Sequence, residues 1–462
     1  MLVRFSLPVS KIFNSLYINK ERMSMDLDKK ITKLAQSLKA ITIARRRDLH
    51  RYPETAWTEF RTASFVADTL TDLGYQVQVG TDVIDEKTMM GVPEEKTLLA
   101  CQKRAIAEGS KERWVKQMTG GKTGVVATFV FDNPGPIVGM RFDMDANDVD
   151  EVKDAGHYPC QGGFSSQHKS AMHACGHDGH TSVGLAIAEI LLKLKSDLAG
   201  TIKLIFQPAE EGVRGAKAMV AKGVVDDVDY MLGAHFGFKM KQTGQLACNV
   251  TGFLATSKYD AEFKGVPAHA GAAPETGKNA LLAAACAVLN LHAISRDSEG
   301  ASRINAGTLQ AGSGRNVIAD KALVKLETRG ATSKINQYMA EEAKRVIHAA
   351  AAMYDVKVKV TEMGGAAGGN NNAVLAARMS KVANRLGIFK EIVDTSDFGA
   401  SEDFSYFMER VQENGGQAAY MMIGATLAAG HHDSHFDFDE TALDLATKML
   451  ASGAVELLLG KK

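Results

Sequence analysis

The densest group of reactive side chains lies in the segment MHACGHDGHTSVG, where Cys175 and His177 stand two residues apart just before an apolar helical pattern. A thiolate and an imidazole at this spacing can face the same side of an extended loop, and such a pair suits zinc, manganese or cobalt. Alternatively, Asp178 or His180 merely caps the following helix. The density of the cluster, which also contains His173, favours a metal site.

Paired acids follow a strongly apolar strand pattern in FQPAEEGVRGA. Adjacent residues of an extended segment point in different directions, so one carboxylate of Glu210 and Glu211 can bind a metal ion while the other faces the attacking water as general base. The alternative is a pair of solvated acids at a helix N-terminus, where negative charge is favourable. The pair alone does not decide between these two interpretations.

Histidines mark two further strand ends, in GAHFG and in GHHDSHF near the C-terminus. A lone histidine at a strand end is more often structural than a ligand, but here the histidines cluster where strands end. A two-metal hydrolytic centre is built from sulfur, nitrogen and oxygen ligands of this kind. The candidates are Cys175, His177, Glu211, His235 and one of His431, His432 and His435.

The elements that must position these residues alternate between strand and helix. Apolar runs of strand length such as TIKLIFQP are separated by helical patterns such as TSVGLAIAEILLKL, which predicts an α/β domain with a mainly parallel, buried sheet. Ligands of such sheets bind outside the carboxyl ends of the strands, where the candidate residues lie. From about residue 251, two helical patterns and four alternating strand patterns predict an inserted α+β domain with an antiparallel sheet.

These patterns divide the chain into four parts. We predict a disordered leader over residues 1–25 and the first part of a catalytic domain over residues 26–250, with a helical insertion at 81–121. An inserted lid and dimerisation domain follows over residues 251–365, and residues 366–462 complete the catalytic domain. The predicted fold class is therefore α/β, with one discontinuous catalytic domain and one inserted, ferredoxin-like α+β domain.

Composition narrows the class of partner. The 462 residues carry 54 Lys and Arg against 54 Asp and Glu, so the chain lacks the basic surface that non-specific nucleic-acid binding needs. The five cysteines show no CxxC spacing, which favours a reducing, cytoplasmic compartment over a disulfide framework. No apolar run approaches the roughly 18–20 residues of a membrane-spanning helix. We therefore expect a small-molecule partner and neither nucleic acid nor membrane.

The motifs MHACGHDGHT, QPAEEG, GAHFG, HAGAAPETGKNALLAA and SEDFSYF occur in this order. Together they resemble the two-metal amidohydrolases that include aminoacylases, hippurate hydrolases, auxin-conjugate hydrolases and carboxypeptidase G, from about residue 40 to the C-terminus. The insertion with MGVPEE and the segments GSGRNV and LETRGA narrow the resemblance to members that cleave p-aminobenzoyl-glutamate, a folate breakdown product, into p-aminobenzoate and glutamate.

The resemblance implies two divalent metal ions per protomer, manganese or zinc. Cys175 would bridge them as a thiolate, and Glu210 would be the general base that returns the proton to the leaving amine. The family's last histidine precedes a phenylalanine by four positions, which selects His432 over His431. The implied ligand set is Cys175, His177, Glu211, His235 and His432.

Three residues of the inserted domain also match the family. His269 of AHAG corresponds to a residue that reaches into the site of the partner protomer and stabilises the oxyanion. Asn316 and Arg329 match positions that contact substrate, and a guanidinium suits a terminal carboxylate. Alternatively, Arg329 only pairs with Glu327. Asn147 departs from the family, which commonly has leucine or proline after DMDA.

Two other functions stay open at this stage. The chain could act on hippurate-like or other N-acyl amino acids with the same chemistry. It could also be a non-catalytic partner in a hetero-oligomeric hydrolase. The resemblance implies a homodimer or a heterodimer with a homologous chain.

Overall fold

The protein is described by a computed structural model that covers residues 9–459, with side chains from residue 21 on. The α-helices of this part of the chain are α1 (Val9–Arg51), α2 (Phe60–Leu73), α3 (Glu95–Ala107), α4 (Glu112–Gln117), α5 (Tyr158–Gln161), α6 (His177–Lys193), α7 (Ala216–Ala221), α8 (Ala280–His292), α9 (Ser333–Met353), α10 (Ala373–Leu386), α11 (Phe404–Glu413) and α12 (Thr441–Leu458).

The strands are β1 (Gln76–Val79), β2 (Val125–Val130), β3 (Asn133–Asp143), β4 (Ala199–Gln207), β5 (Tyr230–Phe236), β6 (Gln245–Ala247), β7 (Val250–Thr251), β8 (Ala255–Lys264), β9 (Ser302–Ala311), β10 (Lys321–Gly330), β11 (Lys357–Ala366), β12 (Glu391–Val393), β13 (Ser396–Asp397) and β14 (Gln417–Ile423).

The large sheet has eight strands in the order β1-β2-β4-β3-β5-β14-β6-β12. Its centre, β4-β3-β5-β14, is parallel throughout, whereas β1, β2 and the β14–β6 pair are antiparallel. Helices α1, α6 and α12 pack together on one side of the sheet, and α7 packs against α11. The carboxyl ends of the four parallel strands therefore lie side by side at one edge of the sheet. This edge is where α/β sheets bind ligands.

The second sheet, called the lid sheet below, has the order β11-β8-β10-β9 and is antiparallel throughout. Helices α8 and α9 cover one face, against which Tyr259, Ala261 and Phe263 of β8 are buried. Because side chains alternate along a strand, Lys258 and Asp260 lie on the opposite, open face. The predicted fold class, an α/β domain with an inserted α+β domain of ferredoxin-like order, is confirmed.

The structure describes part of the predicted leader, residues 1–25. Residues 1–8 lie outside the described residues and α1 begins at Val9, while the division of the chain at residue 25 stays a prediction. Ser24 is buried, and its hydroxyl donates to Glu456 of α12 at 3.2 Å. Leu27 and Ile31 continue the buried stripe of the helix. The sequence around residue 24 does not reveal this contact, because its partner lies at the far end of the chain.

No helix among residues 9–459 is both long and apolar enough to cross a membrane. The predicted insertion between residues 81 and 121 contains α3 and α4, and the division of the whole chain into domains stays a prediction.

A buried chain of charges ties α1 to the start of α6. Arg46 Nε donates to Asp178 at 2.9 Å, and His50 bridges Asp178 at 2.9 Å and Glu151 at 3.1 Å through its two ring nitrogens. Burial lowers the pKa of His50, but the hydrogen bonds with Asp178 and Glu151 have the larger combined effect, so the pKa of His50 is raised. Burial also raises the pKa of Glu151, yet the contacts with His50 hold it at about 2. The network is ionic and fully enclosed.

Replacing Glu151 by glutamine should lower the free energy of unfolding by about 3 kcal/mol, because it leaves the His50 charge in the interior without its second carboxylate. Denaturant titration measures this, with the exposed Glu413→Gln as the matched control, expected within about 0.5 kcal/mol of wild type.

Wild type and Glu151→Gln also test whether Glu151 is ionised in the folded protein. The folded pKa of Glu151, about 2, lies below its ordinary value of 4.5. Its ionisation therefore stabilises the fold above pH 4.5, and this contribution is lost as the pH falls through 2. The stability difference between wild type and Glu151→Gln should shrink over that window. A difference that is unchanged down to pH 2 would contradict an ionised Glu151.

Candidate metal centre

The candidate site lies at the carboxyl ends of the four central parallel strands. Asp143 ends β3, and Glu210 and Glu211 follow β4 after a short turn. His235 lies at the end of β5, and the loop after β14 carries His432. The segment before α6 adds a fifth contribution, because Cys175 lies in it and His177 is the first residue of that helix. Residues far apart in sequence are thus brought to one edge of the sheet.

Cys175, His177 and His235 form the first group of close donors, with ligand atoms all within 4.8 Å of one another and all three side chains buried. The Cys175 Sγ to His235 Nε2 distance is 3.4 Å. His177 Nδ1 contacts the carbonyl of Asp145 at 2.9 Å, and His235 Nδ1 contacts the carbonyl of Phe236 at 2.7 Å. A carbonyl only accepts, so both Nδ1 atoms carry a proton and both Nε2 lone pairs stay available for a cation.

Cys175, Glu211 and His432 form the second group within the same 4.8 Å limit. His432 Nε2 lies 3.3 Å from Glu211 Oε1. Burial raises the pKa of Glu211, but its contact with His432 and the neighbouring His177 hold that pKa at about 2, so the carboxylate is ionised. His432 has a positive φ of 66°, an uncommon backbone conformation that turns it away from its neighbour in the chain.

His431 is used differently from His432. Its ring stacks on Phe238 with centroids 4.3 Å apart, and its Nε2 contacts the carbonyl of Phe236 at 3.1 Å. Burial lowers the pKa of His431 to about 4, so it is neutral. His435 is about half exposed and contacts Asp433. Of the three final histidines, His432 is therefore the one that the loop brings to Cys175.

The two groups share Cys175, and the atoms facing the space between them lack partners. His177 Nε2 and Glu211 Oε1 are buried without any hydrogen bond. Burial, together with Glu211, raises the pKa of the Cys175 thiol well above its usual value. A divalent cation is the kind of partner that would satisfy the two orphaned atoms and favour the thiolate. The donor set of sulfur, imidazole nitrogen and carboxylate oxygen fits two such ions.

Asp145 fixes the backbone of the paired acids. One carboxylate oxygen accepts the N–H of Glu210 at 3.0 Å and the other accepts the N–H of Glu211 at 2.9 Å, while its carbonyl holds His177. Asp143 accepts from His180 at 2.5 Å and from Arg141 at 2.6 Å. Asp145 therefore positions two of the candidate ligands and Glu210, whereas Asp143 holds the neighbouring His180 and Arg141.

Glu210 is buried beside the ligand groups without belonging to either group that contains Cys175. Its Oε2 lies 3.9 Å from His177 Nε2. Burial, followed by the charges of Glu402 and Glu211, raises the pKa of Glu210 well above its usual value. Glu402 itself accepts from Arg141 at 2.9 Å and from Tyr420 at 2.6 Å, so it is occupied by structural contacts.

None of the three lid residues belongs to the ligand groups described above. His269 is exposed, and its Nδ1 accepts the N–H groups of Gly271 and Ala272, each at 3.1 Å, so a neutral ring carries its proton on Nε2. Asn316 adjoins it, because its carbonyl accepts the N–H of Ala270. Arg329 is half-buried and pairs with Glu327 at 3.0 Å, as in the simpler of the two interpretations of its sequence.

Two residues that the sequence marked only as a possible helix cap and as a departure from the family pattern help to shape the site. His180 uses both ring nitrogens, toward Asp143 and toward the N–H of Phe236, which removes it as a ligand. Asn147 accepts the N–H of Ala174 at 3.1 Å and also bonds to Glu211, so the departure from the family pattern steadies the loop before Cys175. The sequence pointed to both positions, but the contacts that give them these roles come from distant segments of the chain.

Comparison with known proteins adds to this geometry. A family model described as peptidase family M20/M25/M40 matches residues 139–455. The chain is 49% identical over 411 residues to a p-aminobenzoyl-glutamate hydrolase chain of Escherichia coli (strain K12) and 48% identical to indole-3-acetyl-aspartic acid hydrolase of Enterobacter agglomerans. Each alignment covers 89% of this chain and 94% of the relative.

A solved structure is similar over almost the same length. The crystal structure of the aminobenzoyl-glutamate utilization protein from Klebsiella pneumoniae aligns with a TM-score of 0.80 and 42% identity. The alignment covers 92% of this chain and 97% of that one.

Proposed function

Because the chain belongs to the peptidase family M20/M25/M40, we propose that it is a metal-dependent amidohydrolase that cleaves p-aminobenzoyl-glutamate into p-aminobenzoate and glutamate. The relatives at 49% and 48% identity are named for an aromatic acyl group joined to glutamate or aspartate. The observation that carries the proposal is the pair of ligand groups that share Cys175, with the buried carboxyl group of Glu210 beside them.

The residues proposed to hold two divalent ions are Cys175, His177, Glu211, His235 and His432. The orphaned, buried atoms of His177 and Glu211 support this assignment. Thiolate and imidazole suit zinc, and the carboxylate also suits manganese, so we propose zinc or manganese. The chemistry that bound ions supply here is a lowered water pKa and a polarised substrate carbonyl.

Glu210 is proposed to take the proton of the attacking water and to pass it to the nitrogen of the leaving glutamate. Its carboxylate lies within 3.9 Å of His177, at the side of the ligand cluster, and its backbone is fixed by Asp145. Because the base is already held next to the attacking water, little entropy is lost in orienting it, and the activation free energy is lowered.

The lid is proposed to complete the site. In a pair of chains, the Nε2–H of His269 from one protomer would donate a hydrogen bond to the substrate carbonyl oxygen in the site of the other protomer. This bond would stabilise the negative charge that develops on that oxygen, and Asn316 would lie beside it. Arg329 would bind the α-carboxylate of the substrate through guanidinium N–H groups that its pairing with Glu327 leaves unused. In the single chain His269 is exposed, as a residue that serves another protomer must be. The Escherichia coli relative is named as one of the subunits of its enzyme, and we propose that this chain also pairs with a homologous chain.

All five cysteines are free thiols, which supports a cytoplasmic location, where thiols stay reduced. A reducing compartment also keeps Cys175 available as a ligand.

A substrate panel tests the proposed function. The purified chain, loaded with zinc or manganese, should show its highest kcat/KM with p-aminobenzoyl-glutamate, followed by indole-3-acetyl-aspartate, and release equal amounts of the acid and the amino acid. N-benzoylglycine should be at least about tenfold poorer.

Two outcomes would contradict the proposal. A preference for N-benzoylglycine would assign the chain to other N-acyl amino acids. Turnover that appears only after a homologous second chain is added, and that survives Glu210→Gln in this chain, would make it a non-catalytic partner.

A further inference from the structure

The lid sheet meets the loop of the paired acids along a close backbone contact. The N–H of Gly365 on β11 donates to the carbonyl of Val213 at 2.7 Å. At Gly364, a Cβ would stand 2.2 Å from the carbonyl oxygen of Gly212, so this approach requires glycine. Gly364 is in register with Lys258 of β8. The open face of the lid sheet is thereby held against the loop that carries Glu210 and Glu211.

A cavity of about 380 Å³ lies at this contact. Its walls include Gly212 and Arg214 from the loop, and Lys258, Asn305 and Glu327 from the lid sheet. This volume is in the range of small-ligand sites in proteins. Arg214 donates from its Nε to the carbonyl of Glu211 at 2.9 Å, so one wall of the cavity adjoins the loop of the paired acids.

Lys258 forms no ion pair within 4.0 Å among the described residues, although it faces the cavity. Its register partner on β10 is Glu327, but both carboxylate oxygens of Glu327 are engaged by Arg329, at 3.0 and 3.3 Å. Burial lowers the pKa of the Lys258 ammonium, and the charges of Glu327 and Glu210 oppose that shift. The lysine is therefore a half-buried cation near the general base, without a carboxylate of its own.

Arg214 faces the same cavity and likewise forms no ion pair within 4.0 Å in the described part of the chain. Its Nε donates to the carbonyl of Glu211 at 2.9 Å and its Nη1 to the carbonyl of Gly91 at 3.1 Å. These two carbonyls fix the guanidinium in place while leaving its charge uncompensated. Two cations without an ion pair thus face one cavity, whose third cation, Lys325, lies 3.9 Å from the carboxylate of Asp260.

We propose that Lys258 and Arg214 bind the side-chain carboxylate of an acidic amino acid in the substrate. The inference rests on the proposed function and adds a specificity site to it. A dicarboxylic leaving group brings two negative charges, of which Arg329 accounts for one. The two unpaired cations account for the other, so the chain selects glutamate or aspartate conjugates over neutral ones.

The test compares p-aminobenzoyl-glutamate with p-aminobenzoyl-glutamine, which differs only in having an amide in place of the side-chain carboxylate. Lys258→Met removes the charge at nearly constant length. It should lower kcat/KM for the glutamate substrate by roughly 10- to 100-fold, mainly through KM, because a charged hydrogen bond is lost. The glutamine substrate should change by less than about threefold, and Lys258→Arg should restore the preference.

Lys359→Met is the matched control, because Lys359 is exposed on β11 in register with Glu262, at the far end of the lid sheet from Gly364. It should leave both substrates unchanged. Equal losses on both substrates with Lys258→Met, or no loss on either, would overturn the inference. Wild-type protein that cleaves both substrates equally well would also overturn it while leaving the proposed function intact. Wild-type protein that cleaves neither would refute the proposed function itself.

Discussion

Replacement of Glu210 by glutamine is expected to lower kcat for p-aminobenzoyl-glutamate by about 100- to 10,000-fold while both metal ions stay bound, because the amide removes the base but none of the ligands. Glu210 lies outside both ligand groups that contain Cys175. Its N–H is held by Asp145, a contact that the substitution leaves in place. Steady-state kinetics and metal analysis of the same preparation measure both quantities.

The same substitution at the neighbouring Glu211 should have a different effect. Glu211→Gln should lose metal, because Glu211 belongs to the group with Cys175 and His432 and carries an orphaned buried oxygen. If Glu210→Gln kept more than a tenth of the wild-type kcat, or if it lost metal as Glu211→Gln does, its role as general base would be wrong.

Replacement of Cys175 by alanine is expected to abolish binding of both metal ions and, with it, all detectable turnover. Cys175 is the residue shared by the group with His177 and His235 and the group with Glu211 and His432. Removing any other ligand disturbs one group, whereas removing the thiol disturbs both. His235→Ala should therefore keep close to one equivalent of metal, and Cys175→Ala should keep much less than one.

Cys248→Ala is the matched control for the loss of a buried thiol. Cys248 is fully buried in the main core, outside the ligand groups. Its replacement should keep two equivalents of metal and most of the activity. A Cys175→Ala protein that still binds two ions would show that the thiol does not bridge them.

Much of the site could be predicted from the sequence because its ligands follow strand ends. The end of each parallel strand is fixed by an apolar run, and Glu211 and His235 directly follow or close such runs. The lid could be predicted for a similar reason, since β8 and β10 alternate between polar and apolar residues. Local patterns are sufficient wherever position along a strand decides where a side chain points.

The rest depends on contacts between distant segments. His432 is separated from His431 by a positive φ and by the stacking of His431 on Phe238, neither of which a local pattern contains. The hydrogen bond from Ser24 of α1 to Glu456 of the last helix likewise joins two ends of the chain. Lys258 becomes a candidate only through the register of β8 and β11 and the docking of Gly364.

The central claim is that a centre of two ions, held by the chain's own side chains, hydrolyses p-aminobenzoyl-glutamate. The most direct measurement is turnover by metal-free protein during stepwise addition of zinc or manganese, with bound metal determined at each step. We predict no turnover without metal and full activity at two equivalents per chain. Activity that persists in metal-free protein, or that is complete at one equivalent, would contradict the account.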